Sequence, residues 1–250
     1  MLPKATRTHG YQQVASILEA EIVSGRLKIG ELLPIEAELA EALGVNRSTL
    51  REGLRALESD GLVRRVAAKR LQVVAPDPAR VALTNARALG LRGASFRDLW
   101  EVQMQLEHFA AHQAAERASD EQIAAIRASV EELIPSLDDD QAVVRHDIAF
   151  HSLVSHAAGN AALELATAPI GLLLFSATQH LYQAVPAARH RLLAAHRAIS
   201  DAIANRDAGL ASDWMRRHIA DFRRGYEIAG FDIHANIELS YSSPFGPSSG

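Results

Sequence analysis

Apolar positions along this chain recur mostly at helical spacing. Between His9 and Ser24, Val14, Ile17, Leu18 and Ile22 fall three or four residues apart, the period of one helix face, and Gly25 is placed to cap the end. The stretch "SGRLKIGELLP" reads as a loop. Leu39, Ala40 and Leu43 predict a second helix over Ile35 to Leu43, ended by Gly44. Leu50, Leu54 and Leu57 predict a third over Arg47 to Ser59, closed by Gly61. The runs "LVRRV" and "LQVV", with Lys69 and Arg70 between them, have the length and composition of a two-stranded hairpin. Three helices and then a hairpin make a winged helix-turn-helix pattern.

Beyond the proline-bearing "APDPAR" the pattern changes to alanine- and leucine-rich helical periodicity. Helices are predicted near 81–89, 95–117, 120–134, 141–158, 161–184, 188–205 and 208–229. Ser119 with Gln122 forms a capping box, Pro135 and Asp138–Asp140 mark a break, "HAAGN" gives a stop and a restart, and Asp207 is an N-cap. Seven helices in succession predict a bundle whose interior can hold a site. The fold class is therefore mostly α. A winged helix-turn-helix domain spans 1–75, a linker 76–82, an all-helical domain 83–232 and a disordered Ser/Pro/Gly-rich tail 233–250.

Composition sharpens this only locally. The 250 residues carry a net charge of −4, which argues against a generic polyanion binder. Residues 1–75, however, hold eleven Lys/Arg against nine Asp/Glu, a nearly neutral, arginine-bearing head on an acidic body. Cysteine is absent, so disulfides and thiolate metal sites are excluded. The N-terminus lacks the apolar core of a signal peptide, and the apolar run "APIGLLLF" is too short to span a bilayer. A cytoplasmic protein with no membrane partner is expected.

The head carries a pattern with chemistry in it. On a helical wheel that sets Arg47 at zero, Arg51 and Arg55 fall at about 40° and 80°, and Leu50, Leu54 and Leu57 between about 280° and 340°. A cationic stripe thus lies beside an apolar one. Asn46 is a suitable N-cap, and the first turn presents Arg47, Ser48 and Thr49 beside the positive end of the helix dipole. Such a terminus suits phosphate and base-edge contacts. "LPIEAELAEALGVNRSTLREGLRALESDGLVRR" resembles the winged helix of GntR-type bacterial transcription regulators, whose comparable run is "LA..LGVSR..VREAL..LE.DGLV". The resemblance implies that Arg47, Ser48, Thr49 and Arg51 face operator DNA, with Glu36 at the start of the second helix and Lys69 in the wing. Arg55 lies further along the helix and ranks lower. Two departures stand out: Ala37 replaces an arginine found in the fatty-acid-responsive branch, and "VAAKRLQVV" has no glycine at the wing tip.

In the second half, Asp147 and His151 in "RHDIAFHSLVSHAAGN" lie four residues apart, on one helix face. By spacing alone a hydrogen bond is the commoner reading, and a shared metal ion the weaker one. His196 and His218 sit among apolar neighbours on later helices and look inward, each readable as a core histidine. Residues 95–229 resemble the FCD effector-binding domain of the FadR branch. That resemblance implies that Asp147, His151, His196 and His218 form a divalent metal site. Zinc is the first choice, with nickel, manganese or iron as alternatives the ligand set does not separate. It also implies effector contacts at Gln103 and at Asn160 in "AAGN". Gln103 replaces the arginine of the family's "EVR..LE", and an amide cannot form a charge-assisted fork with a carboxylate.

Together these expectations describe a homodimeric regulator rather than an enzyme. It would bind near-palindromic double-stranded operator DNA, a metal ion, and a small organic effector, expected to be a carboxylate. The alternatives are a metal-dependent hydrolase or lyase using the Asp/His₃ set, and a regulator that senses the metal itself.

Overall fold

The structure is a computed structural model and describes residues 9–67 and 70–237. The chain divides into two compact units, residues 1–77 and 78–250.

In the first unit, α1 (His9–Val23), α2 (Glu36–Ala42) and α3 (Arg47–Ser59) precede an antiparallel hairpin of β1 (Val63–Ala67) and β2 (Arg70–Val73). Val14 and Leu18 of α1, Leu39 of α2, and Leu50, Leu54 and Leu57 of α3 bury together with Val63, Leu71 and Val73 of the hairpin. Asn46 caps α3 by accepting from the Thr49 amide at 2.8 Å, and Gly44 makes the α2–α3 turn with φ 63°. α1 and α3 approach so closely at Gly53 that a Cβ there would lie 2.6 Å from Val14 Cγ1. The segment read as loop contributes more than a connection: Leu33 N donates to Leu71 O and Val73 N to Glu31 O, both at 2.9 Å. It thereby pairs along the free edge of β2. Lys69, expected in the wing, lies outside the described residues.

The second unit holds α4 (Pro78–Leu91), α5 (Phe96–Arg117), α6 (Asp120–Leu133), a 3₁₀ turn (Ile134–Ser136), α7 (Asp140–Ala157), α8 (Ala161–Ala184), α9 (Ala188–Ala204) and α10 (Ala208–Ile228). α5 packs on α7 and α10, α6 on α7 and α9, α8 on α4 and α7, and α9 on α10. Alanines let the helices close up: Ala111, Ala114, Ala115, Ala202 and Ala211 lie in one core with Phe150, Ile199, Ile203 and Met215. α8 has the length and apolarity to cross a membrane, but over half of its apolar window is buried inside the fold, as a core helix of a bundle requires.

Two expected boundaries are corrected. Residues 78–82 are not linker but the first turn of α4, because Pro78 stands at a first helical position, where its fixed φ fits and its missing N–H costs nothing. The tail does not begin at 233. Ile237 N donates to Ala94 O and Arg97 N to Ile233 O, each at 2.9 Å, while Phe231, Ile233 and Ile237 pack with Phe96 and Tyr226. Residues 238–250 lie outside the described residues.

Candidate functional site

On the first unit, Arg47, Ser48 and Arg51 are exposed along one side of α3, opposite the leucines that anchor the helix. Thr49 is only half exposed, and its methyl is turned toward Gly10 at the start of α1. Glu36 does not stand alone: its Oε2 accepts from Arg51 Nε at 2.8 Å. The carboxylate therefore fixes the guanidinium across the α2–α3 corner. Arg64 and Arg70 are exposed on the hairpin and extend the cationic surface.

In the second unit three helices deliver four side chains to one place. Asp147 and His151 come from α7, His196 from α9 and His218 from α10, and one donor atom from each lies within 4.8 Å of all the others. Asp147 Oδ1 is 3.2 Å from His196 Nε2, 3.4 Å from His151 Nε2 and 3.8 Å from His218 Nε2. The Nε2 atoms of His151 and His218 face each other at 3.1 Å. Asp147 Oδ1 and His196 Nε2 are fully enclosed, and apart from their approach to each other and to the neighbouring rings neither has a well-formed hydrogen bond. Buried polar atoms are ordinarily satisfied. Three imidazole nitrogens and one carboxylate oxygen turned toward a common point fit a divalent transition ion by donor chemistry as well.

The surroundings orient these donors. The ring of His196 stacks on Phe150, centroids 3.8 Å apart. Tyr182 of α8 donates its hydroxyl to Asp147 Oδ2 at 3.5 Å, leaving Oδ1 for the cluster. His151 Nδ1 contacts Glu107 Oε2 of α5, which leaves Nε2 as its free donor. The electrostatics follow from burial and these partners. Burial alone would raise the Asp147 carboxyl, but contact with His151 and His196 holds it well below the usual carboxylate range. Burial opposes charge on His151 as well, but Glu107 and Asp147 bring its pKa up to about 10. Burial pushes His196 down, and it pushes His218 well down with help from the two neighbouring rings.

A cavity of about 320 Å³ opens beside the cluster. Its wall includes Glu107, Asp147, His151 and His218 themselves, apolar side chains such as Ile148, Leu172 and Phe222, the hydroxyl-bearing Thr178 and Tyr182, and the first turns of α4. Gln103 is buried in this wall. Asn160 is not part of it and corrects the expectation of an effector contact: its Oδ1 accepts from the amides of Ala162 and Leu163 at 3.1 and 3.2 Å, capping α8. Glu107 was missed in the sequence, although it lies one turn from Gln103 on the same face of α5.

A winged helix with an exposed cationic recognition helix, joined to an all-helical unit, is the architecture of a DNA-binding transcription regulator. Residues 10–73 match "Bacterial regulatory proteins, gntR family" and residues 98–221 match the FCD domain, and the chain belongs to the GntR family, in its FCD-bearing branch. The Glc operon transcriptional activator of Escherichia coli K12 is 25% identical over 230 residues, covering 88% of this chain and 90% of the relative. The transcriptional repressor NanR of Salmonella newport is 29% identical over 220 residues, covering 83% and 82%. A solved structure, Streptococcus agalactiae GntR, superposes with a TM-score of 0.62 at 26% identity, covering 86% of this chain and 99% of that one. These relatives are regulators of transcription, not enzymes.

Proposed function

We propose that the helical unit is a metal-dependent sensor. Asp147, His151, His196 and His218 hold one divalent ion, zinc in the first instance, and a small carboxylate effector binds in the adjoining cavity. The observation that carries this reading is the convergence of three Nε2 atoms and Asp147 Oδ1, with Oδ1 and His196 Nε2 enclosed and lacking well-formed hydrogen bonds. The bound ion would offer Lewis-acidic positions to effector oxygens. This chain's own part is to fix the donor atoms. Glu107 accepts from the Nδ1–H of His151, Tyr182 occupies the second oxygen of Asp147, and Phe150 sets the plane of His196. Arg47, Ser48 and Arg51 meet operator DNA in the cytoplasm, two copies of the chain reading the halves of a near-palindrome. The effector acts by differential affinity for two arrangements of the protein.

The test is operator binding by the full chain in four states: metal-free, metal-loaded, and each with a panel of small carboxylates. Effector regulation requires that a carboxylate change operator affinity only when metal is present. If the metal alone changes it and no acid does so further, the ion itself is the signal. If neither changes it, the sensor reading fails. The relatives' names carry opposite signs of regulation, so operator affinity is the quantity to read.

A further inference from the structure

The cavity wall contributed by α5 has a definite polarity. Gln103 Nε2 donates to Glu107 Oε1 at 3.2 Å. A carboxylate only accepts, so the amide must stand this way round, and Gln103 Oε1 is left enclosed with no partner. Glu107 spends its other oxygen on His151. Across the cavity, Thr178 donates its hydroxyl to Leu174 O at 2.8 Å, so toward the cavity it too can only accept. Among the described residues lining this space there is no lysine or arginine, whereas Glu107, Asp147 and Glu164 are acids. Away from the metal donors the wall therefore lacks positive charge; its side-chain donors are neutral, such as the hydroxyls of Ser152 and Ser155, and the stretch at Gln103 carries an enclosed acceptor without a partner.

We propose that Gln103 is a specificity-determining residue whose Oε1 accepts a hydrogen bond from a hydroxyl or ammonium group of the effector. The effector is then a small monocarboxylate bearing a donor group, and a second carboxylate in that position is rejected. This rests on the metal-and-carboxylate reading above: coordination at the ion accounts for one carboxylate, and among the described lining residues no lysine or arginine meets the charge of another. The size agrees. Gln103 stands one helical turn from Glu107, about 6 Å along α5, and Glu107 touches a metal-donor histidine. A ligand reaching from the ion to Gln103 needs a chain of only a few carbons, which a cavity of about 320 Å³ accommodates. A buried acceptor left unpaired penalises every ligand that cannot donate to it.

The experiment is calorimetry on the metal-loaded full chain. It uses straight three- to five-carbon acids whose far ends are methyl, hydroxyl, ammonium or carboxylate. At the matching length, the hydroxyl- or ammonium-ended acid should bind about two- to tenfold tighter than the methyl-ended one, the range of a net hydrogen bond. The dicarboxylate should bind no better than the methyl-ended acid. Whichever of hydroxyl and ammonium binds tighter identifies the donor. Gln103→Leu should abolish the preference for a donor end, and Gln103→Arg should reverse it in favour of the dicarboxylate. Circular dichroism and metal content check that each variant is folded and loaded, and Gln103→Leu carries the test if the arginine variant does not fold. A wild-type ranking led by the dicarboxylate overturns the proposal, as does a donor preference that survives Gln103→Leu. If all ends bind alike, the proposal falls while the carboxylate reading stands. If no acid in the series binds, the carboxylate reading falls and takes this one with it.

Discussion

Removing the metal from the helical unit should lower its melting temperature by an amount that can be worked in advance. The proposed donors come from α7, α9 and α10, so an ion bound to them ties together three helices that the unfolded chain does not hold in register. Ion present at about a hundred times its Kd stabilises the folded state by about 2.7 kcal/mol. In a domain of this size each 1 kcal/mol moves the melting point by about 2–4 °C, which gives a shift of about 5–11 °C. The assay is scanning calorimetry of the full chain as purified, after chelation and dialysis, and after adding back zinc, nickel or manganese. His196→Ala will lower the melting point by itself, since the ring stacks on Phe150. The informative quantity is the increment on adding metal, which should fall below about 2 °C in that variant. Phe150→Leu supplies the contrast: it loses packing but keeps the donor, and should retain most of the increment. A wild-type melting point unmoved by chelation and add-back would refute the reasoning, and so would a full increment in His196→Ala.

Other expectations follow from other parts of the chain. Arg47→Ala or Arg51→Ala should weaken operator binding by about 1–3 kcal/mol where a base contact is lost, or reduce the salt slope where a phosphate contact is lost. Unchanged affinity and slope in both would remove α3 from the interface. Gly53→Ala should destabilise the first unit in urea melts. The gain in helix propensity is about 1 kcal/mol, but the new methyl would sit 2.6 Å from Val14 Cγ1, and overpacking costs about 1–3 kcal/mol. In the metal-free protein, His196 and His218 are held neutral when folded and charge freely when unfolded. Stability against denaturant should therefore fall as pH drops below about 6.5, and a flat profile between pH 7 and 5 would contradict the burial of these rings. Asn160→Ala should cost about 1 kcal/mol of stability as a lost N-cap and leave effector affinity unchanged by calorimetry; a changed affinity would return Asn160 to the ligand site.

Most helix ends were legible because they are written in local chemistry. Asn46, Ser119 and Asp207 stand at N-caps and accept the expected amides. Gly44, Gly61 and Gly159 follow helix ends with positive φ. The misreadings share one cause, which is that local signals do not report long-range pairing. Pro78 stands in a stretch whose prolines read as linker, but it begins α4. The segment around Glu31 to Leu33 has loop composition, yet it pairs with a strand some forty residues away. The apolar residues Ile233 and Ile237 fall in the stretch read with the Ser/Pro/Gly tail, yet both are held by burial against Phe96 and Tyr226.

The cluster shows the same limit more sharply. Asp147 and His151 share a face by spacing alone, but spacing cannot say that this face meets those of His196 and His218. For that, the resemblance to a family was needed, and the geometry then supplied an independent reason: unsatisfied atoms turned toward one point. Glu107 had a signal in the sequence, being one turn from Gln103 on a helix whose inner face is otherwise mostly alanine. A carboxylate and an amide adjacent on a buried stripe have to satisfy one another or something else. Here they do so only in part. Glu107 is used up by Gln103 and His151, and the oxygen left over belongs to Gln103. The residue that departs from the family's arginine thus also carries a buried oxygen that the protein itself does not pair, which is why the proposed ligand contact falls on the position that distinguishes this chain within its family.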